Sequence, residues 1–307
     1  MEKISIFIKK INSFLGFISS IITIILIFID IPIFVIYILL SIILIYIFLM
    51  IGYIVRSIFV TDKAQKKLHD SFMAKQSRVA DKLHSFFHNL RDYISSYDTD
   101  STTVDNMKEK SINICNYIAE FYKYLFKGYL GDYDISVCIK TINNLLQKNN
   151  FTEWEIETFA RSTSTSQERH KIDSNPVKVS ENSDFEIIIS PKYNDDFFAF
   201  ADMRTIEKDF LETYKKEYIN PRGNNFINFY KSTIVVPIRI DEKYIRQDIK
   251  KTLKIPKKRN LILGFLCIDS LKTFNTQDEI DIFSLGIEYA KSFGDSLYLF
   301  FEKGLIL

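Results

Sequence analysis

The feature that most constrains this chain is a long apolar run near its N-terminus. From Ile11 to Val55 the chain has one acidic residue, Asp30, and no basic residue. A single helix of this length would extend about 67 Å, whereas the hydrocarbon core of a bilayer is about 30 Å thick. Pro32 disfavours helical geometry in the preceding residue, and an acid avoids lipid. The run therefore predicts two spans, roughly Ile11 to Ile29 and Ile33 to Val55.

Positive charge flanks the apolar run on both sides. Short loops rich in Lys and Arg stay in the cytoplasm, and the turn between the two predicted spans has no basic residue. We therefore expect a multi-pass protein of the inner (cytoplasmic) membrane, with both termini cytoplasmic and the lipid bilayer as a partner. The flanking basic residues are Lys3, Lys9, Lys10, Arg56, Lys63, Lys66 and Lys67.

Small residues within the predicted spans allow two interpretations. Gly16, Ser20 and Thr23 share one face of the first span, and Ser41 gives the second span a small polar position. Small residues favour close packing of helices, and we expect packing here because no charged ring marks a conduction path. A pore lining is the alternative interpretation of the same residues.

The chain changes character after residue 60. Asp62 to Ser95 places apolar residues at helical spacing among many Lys, Arg and His residues, which is typical of an amphipathic or coiled-coil helix continuous with the second span. A polar break follows, and Thr102 with Asp105 begins a second helix. We expect a transmembrane hairpin at 1–60, an amphipathic connector at 61–103 and a cytoplasmic domain at 104–307.

From residue 134 onwards, alternating patterns replace helical ones. Asp134 to Ile142 alternates apolar residues with Ser136, Cys138 and Lys140, which predicts a strand. Residues 162–182 are polar and predict a loop, and residues 184–219 predict mostly helices with loops. The fold class is therefore α+β, with an antiparallel sheet flanked by helices after the hairpin and connector. The other predicted strands are Glu153 to Arg161, Ser232 to Ile240 and Asn260 to Ile268.

The last helix has a clear start and a regular apolar face. Thr276 with Glu279 forms a capping box at its beginning. Its apolar residues step by three and four positions, which is a heptad seam and predicts a coiled coil in a homo-oligomer. The seam consists of Ile280, Phe283, Ile287, Ala290, Gly294, Leu297 and Phe301.

Three C-terminal segments resemble a known family. Tyr230 to Ile238 is a short apolar strand that ends in Val-Pro and an aliphatic residue, Leu263 to Ser270 is similar to the next strand, and Phe274 to Glu279 matches a Phe-x3-Asp-Glu motif. These segments and the order of elements from Val104 to Phe301 resemble a GAF domain. Cyclic-nucleotide-binding members have Asn-Lys where this chain has Asp269-Ser270, so the resemblance implies small-molecule sensing without indicating cyclic AMP or GMP.

The resemblance also implies where a ligand binds. A pocket is expected between the sheet and the segment from Phe185 to Phe226, with Phe198 among its aromatic walls. Guanidinium groups form bidentate bonds with phosphate, so arginines are candidates for holding a phosphorylated or nucleotide-like ligand. Each could instead be a surface arginine. The candidate ligand-binding residues are Arg161, Arg169, Phe198, Asp202, Arg204, Arg222 and Asp269.

Other kinds of chemistry lack support in the sequence. The net charge is +2, from 40 basic and 38 acidic residues, and the basic run Lys250 to Arg259 has no interleaved aromatics, so no specific nucleic-acid binding is expected. His84 and His88 lack a third metal ligand. Three cysteines without metal-type spacing predict reduced thiols. No catalytic motif is present, and we expect neither enzyme activity nor a cofactor.

Two functional hypotheses follow. The first is a membrane effector, similar in architecture to those of bacterial anti-phage (antiviral) defence, in which an unidentified small molecule such as a nucleotide messenger acts on the hairpin as output. The second is a GAF-like sensor or scaffold subunit that dimerises through the heptad seam and regulates a separately encoded partner. A structural membrane anchor without a ligand is a third alternative.

Overall fold

The computed structural model describes residues 16, 20, 33–96, 104–130, 135–143, 150–165, 175–193, 195–240 and 261–305. Its helices of seven or more residues are α1 (Ile33–Ser96), α2 (Val104–Leu130), α3 (Ser183–Ile189), α4 (Ile206–Tyr214) and α5 (Gln277–Leu305). Its strands are β1 (Ile135–Ile142), β2 (Glu155–Arg161), β3 (Val177–Lys178), β4 (Phe198–Phe200), β5 (Ser232–Ile240) and β6 (Leu261–Ser270).

The strands form one six-stranded sheet in the order β3-β2-β1-β6-β5-β4, and every neighbouring pair is antiparallel. The predicted α+β class and all four predicted strands are confirmed. Strands β3 and β4 fall in segments predicted as loop and as mostly helical. They have two and three residues, so neither is long enough to show an alternating pattern.

The two faces of the sheet bury different residues. In β1, Val137 and Ile139 pack with the long helices, whereas Cys138 faces the opposite side. In β6, Leu266 and Ile268 likewise pack with the helices. Because side chains alternate along a strand, one face supplies the larger apolar core and the other faces the segment from residue 175 to residue 230.

The terminal helix α5 packs against the chain's own sheet. Phe283, Ala290, Leu297 and Phe301 of the predicted heptad seam are all buried in the core that α5 shares with β5 and α2. The Phe121 and Phe293 rings, on α2 and α5, meet edge to face with centroids 5.2 Å apart. Most of this seam is therefore covered by the same chain, although Ile280 at its start is 39% exposed, and the structure gives no support to the prediction that the seam joins two copies.

The chain divides into two compact units, Met1–Ser71 and Phe72–Leu307. The second unit contains the sheet together with the end of α1. Phe86 and Leu90 of α1 are buried in its helical core, and the Phe86 ring contacts the Phe293 ring at 4.5 Å between centroids. The end of the predicted connector is thus part of the packed domain.

The predicted membrane location is wrong. The first predicted span, Ile11 to Ile29, lies outside the described residues apart from Gly16 and Ser20. The second lies in α1, and within the described ranges no helix combines the length and the apolar character needed to cross a bilayer. A crossing requires about 20 predominantly apolar residues in a helix. The prediction had relied on counting apolar residues in the sequence.

Candidate functional site

A cavity of about 250 Å³ lies on the sheet face opposite α2 and α5. Its floor consists of residues from β1, β2, β5 and β6, and its wall comes from the segment between residues 175 and 230. The lining residues are Cys138, Lys140, Ile156, Arg161, Asn175, Val177, Asn182, Asp184, Phe185, Asn220, Pro221, Arg222, Tyr230, Thr233, Val235, Cys267 and Asp269.

One row of directly opposed residues crosses four strands of this floor. Arg161 of β2 pairs with Cys138 of β1, Cys138 pairs with Cys267 of β6, and Cys267 pairs with Val235 of β5. Arg161 is only 4% exposed, so its guanidinium group is held within the domain. The register therefore sets a buried cation beside two thiols.

A second row, next to the first, fixes the polar groups of the floor. Asp269 of β6 pairs with Ser136 of β1 and with Thr233 of β5. The Thr233 hydroxyl donates to Asp269 Oδ1 at 2.6 Å, and Arg161 Nη1 donates to the Ser136 hydroxyl at 3.0 Å. Asp269 is a buried carboxylate that short side chains on the neighbouring strands surround.

A bulge in β2 turns Arg161 toward the cavity. The register shifts between Ile139 and Lys140, so that Ile139 pairs with Ala160 while Lys140 pairs with Thr158. The extra residue, Phe159, packs on the helical face together with Ala160. A bulge reverses the face of every later residue on its strand, and Arg161 therefore lies on the same face as Lys140.

The wall of the cavity contributes a second buried acid. The Asn182 side chain caps α3 by accepting the Asp184 backbone N–H at 2.9 Å, and the Tyr218 hydroxyl donates to Asp184 Oδ1 at 2.8 Å. Burial raises the pKa of Asp184 to about 7, because the charged carboxylate loses its hydration. Near neutral pH this acid is therefore partly protonated.

The cations of the cavity are also partly desolvated. Burial lowers the pKa of Lys140 and the pKa of Arg222, since removal from water disfavours the charged form. Lys140 Nζ donates to the Thr158 hydroxyl at 2.9 Å, and the Arg222 guanidinium group lies 4.8 Å from the centroid of the Phe229 ring. These contacts point both cationic groups in defined directions.

The structure brings together three of the seven residues predicted for the site. Arg161, Arg222 and Asp269 line the cavity. Phe198 lies instead in the apolar core behind the wall, where its ring stacks on the Tyr218 ring. Asp202 and Arg204 form an ion pair with each other, with 2.5 Å between Arg204 Nη2 and Asp202 Oδ2. Neither residue lines the cavity. Arg169 lies outside the described residues.

Most residues of the cavity lining had not been predicted, including four with acidic, basic or thiol side chains. Lys140 and Cys138 lie on the face of β1 that the alternation marked as polar, Cys267 lies on β6, and Asp184 lies in the first turn of α3. The alternation in β1 already placed Cys138 and Lys140 on one face, and a lysine there is unusual if that face is buried. Within the described ranges, no group of three or more His, Cys, Asp or Glu side chains is placed to hold a metal ion.

No protein-family model and no curated protein matches this sequence. Among solved structures, the chain is similar to the GAF domain of an Acinetobacter phosphoenolpyruvate-protein phosphotransferase, with 9% identity over 72% of this chain and 95% of that chain and a TM-score of 0.36. It is similar to a putative GAF sensor protein from Burkholderia vietnamiensis, with 8% identity over 73% of this chain and 98% of that chain and a TM-score of 0.34. The third is the nlh2 GAF domain of A. Aeolicus in an inactive state, with 11% identity over 72% of this chain and 98% of that chain and a TM-score of 0.33. Likenesses at this level carry no argument about function.

Proposed function

We propose that this chain is a GAF-like ligand sensor that binds a compact organic anion in the cavity and does not transform that anion. The observation that carries the proposal is the convergence of Lys140, Arg161 and Arg222 on one cavity. The proposed sensor domain keeps the bounds 104–307 that the sequence predicted, with the end of α1 packed into its core through Phe86 and Leu90.

The charge of the lining supports an anionic ligand. Three cationic side chains face two acidic ones, Asp184 and Asp269, which leaves an excess of positive charge. The raised pKa of Asp184 increases that excess. A phosphate or carboxylate group would supply counter-charge to cations that have lost hydration, and guanidinium groups bind such groups in bidentate geometry. The two acids would accept hydrogen bonds from hydroxyl or amino groups of the same ligand.

The size of the cavity restricts the ligand further. Its volume of about 250 Å³ lies just below the range of about 300–1,000 Å³ typical of small-molecule sites. A metabolite with one phosphate or one or two carboxylates suits this volume better than a dinucleotide messenger. The candidate ligands are therefore restricted to compact anions of mononucleotide size or smaller.

The proposed output runs across the sheet. Cys267 lines the cavity, whereas the next residue, Ile268, packs on the opposite face in the core that contains α5. A ligand that shifts the floor would thus shift the packing of α5, and we propose that a separately encoded partner detects this change. The membrane-effector and anti-phage hypotheses are not retained, because the membrane location on which they depended is contradicted.

Binding measurements on matched arginine variants test the proposal. The purified 307-residue chain would be screened for thermal stabilisation by a panel of small phosphates and carboxylates, and affinities measured by calorimetry. We expect Arg222→Gln and Arg161→Gln to weaken binding of the best ligand at least about tenfold, because each removes a charge-assisted hydrogen bond.

Arg204→Gln is the matched control, because Arg204 is an arginine paired with Asp202 outside the cavity lining. Its affinity for the ligand should equal that of the unmodified chain. If all three variants bind the ligand equally well, the ligand does not occupy this cavity and the proposal fails.

A further inference from the structure

The cavity contains a pair of thiols that anion binding does not require. Cys138 and Cys267 lie directly opposite each other on β1 and β6 and both line the cavity. We propose that they form a dithiol reaction site that reduces a small hydroperoxide while the two thiols become a disulfide.

The sheet register already brings the two residues to bonding distance. Directly opposed residues of an antiparallel pair have Cα atoms about 4.5 or about 5.5 Å apart, depending on their hydrogen-bonding position. Both separations fall within the range of about 4.4–6.8 Å found in disulfides. Formation of the bond therefore requires side-chain rotation and no separation of the strands.

The surroundings make the two thiols unequal. Cys138 pairs directly with Arg161 of β2, whereas Cys267 pairs with Cys138 and with the apolar Val235 of β5. The neighbouring Cys267 thiol and the positive charges of Arg161 and Lys140 lower the pKa of Cys138, and the neighbouring Cys138 thiol and burial raise the pKa of Cys267. A thiolate is the reactive form of cysteine, so Cys138 is the attacking residue and Cys267 the resolving one.

The same charges disfavour a metal at this site. A thiophilic cation would have to approach Arg161 and Lys140, and within the described ranges no third Cys, His, Asp or Glu completes a metal-binding group. A small neutral hydroperoxide meets no such repulsion. The cations also stabilise the negative charge that develops on the oxygen leaving the peroxide.

The reaction balances in two steps. The Cys138 thiolate attacks one oxygen of ROOH, the O–O bond breaks, and the leaving alkoxide takes a proton, giving a sulfenic acid at Cys138 and ROH. Lys140, on the same strand face, is placed to donate that proton. The Cys267 thiol then attacks the Cys138 sulfur and water leaves. In total, the two thiols lose two protons and two electrons, which ROOH accepts as it becomes ROH and H₂O.

The third cysteine serves as an internal control. Cys115 is 0% exposed within the helical core on the other face of the sheet, and burial raises its pKa. Cys138 and Cys267 are also well buried, at 1% and 4% exposed, but both border the cavity. Reactivity should therefore differ between Cys115 and the pair.

Hydrogen peroxide treatment of the reduced 307-residue chain tests the proposal. Intact mass should fall by two hydrogen atoms, and peptide mapping should show a Cys138–Cys267 disulfide that forms at least about tenfold faster than any modification of Cys115. In Cys267→Ser, a dimedone adduct should accumulate at Cys138. In Cys138→Ser, any adduct at Cys267 should form more slowly than the disulfide forms in the unmodified chain. Cys115→Ser should behave as the unmodified chain.

Peptide mapping of the oxidised, unmodified chain tests the proposal even if a serine variant does not fold. Oxidation of Cys115 or of methionine without a Cys138–Cys267 disulfide overturns the proposal. So does equal reactivity of Cys115 and the pair. Because no anionic ligand is present in this experiment, its outcome is independent of the proposed sensor function.

Discussion

Gly294 of α5 lies so close to Pro237 of β5 that a β-carbon at residue 294 would stand 2.8 Å from the Pro237 carbonyl oxygen. The same β-carbon would lie 3.2 Å from Val236 Cγ2. At Pro237 the backbone of β5 pairs with Phe265 of β6, so it cannot move aside without disturbing that ladder. The glycine is thus a packing requirement where the terminal helix crosses the sheet.

We therefore predict that Gly294→Ala destabilises the domain. Overpacking of this kind costs about 1–3 kcal/mol, partly offset by the gain of about 1 kcal/mol when alanine replaces glycine in a helix. Chemical denaturation would measure the difference in unfolding free energy. Gly286→Ala is the matched control on α5, because its β-carbon meets only aromatic ring atoms of Tyr122 and Phe126, at 3.3 Å or more. A Gly294→Ala variant as stable as Gly286→Ala would contradict this account.

The second prediction concerns the buried Asp269. Thr233→Val keeps the shape of the side chain but removes the hydroxyl that donates to Asp269 Oδ1 at 2.6 Å. Losing a hydrogen bond to a buried charged group should reduce the unfolding free energy by about 1.5–3 kcal/mol, as urea denaturation would show.

Thr205→Val is the control for that change, because Thr205 donates to Asp209 at 2.7 Å on the exposed surface. There water replaces the lost bond, and the expected cost is below about 1 kcal/mol. Equal losses from the two variants would show that the burial of Asp269 does not matter for stability.

The third prediction is a pH dependence from Asp184. Its pKa of about 7 in the folded chain lies above the unfolded value of about 3.9, so the folded state binds more protons between these values. Its cost to stability is therefore absent below about pH 4 and grows as the pH rises to about 7. Asp184→Asn should stabilise the domain by about 2–4 kcal/mol above pH 7 and change little near pH 4.

Thermal or urea unfolding across this pH range measures the effect. Asp202→Asn is a control of opposite sign, because the hydrogen bond from Arg204 lowers the pKa of Asp202, and its stabilising contribution is lost as the pH falls. If Asp184→Asn is less stable than the unmodified chain at pH 8, the carboxylate is needed in its charged form and the prediction is wrong.

The fourth prediction concerns the start of α5. The Glu279 N–H donates to the Thr276 hydroxyl at 3.4 Å, and the Thr276 N–H donates to Glu279 Oε2 at 3.1 Å, so the predicted capping box is confirmed. Hydrogen bonding from Lys272 lowers the pKa of Glu279 to about 2. Glu279→Gln should destabilise the domain near neutral pH, and the difference should disappear as the pH falls from about 4.3, the unfolded pKa, to about 2.

Glu288→Gln provides the comparison, since Glu288 forms a surface pair with Lys291 one turn away and such pairs contribute little. Denaturation of both variants across the acidic range is the measurement. A pH-independent loss in Glu279→Gln would mean that the carboxylate charge contributes nothing to the cap.

The sequence was most informative where a local pattern has a single structural solution. The alternation in β1 and β2 predicted strands, and Thr276 with Glu279 predicted the start of α5, because each depends on neighbours a few residues away. Patterns with more than one solution misled the interpretation. The heptad seam of α5 fits a coiled coil and a sheet surface equally well, and the structure uses it for the sheet.

By itself, the sequence determined four of the six described strands, the long helices and the presence of arginines that could bind an anion. Only the tertiary structure decided which of them meet. Strict alternation along β2 would have put Arg161 on the helical face, but the extra residue Phe159 reverses its direction and sets it opposite Cys138. A bulge depends on pairing with a strand elsewhere in the chain. The physical reason is therefore register: it is a property of two strands together, and neither strand's sequence contains it.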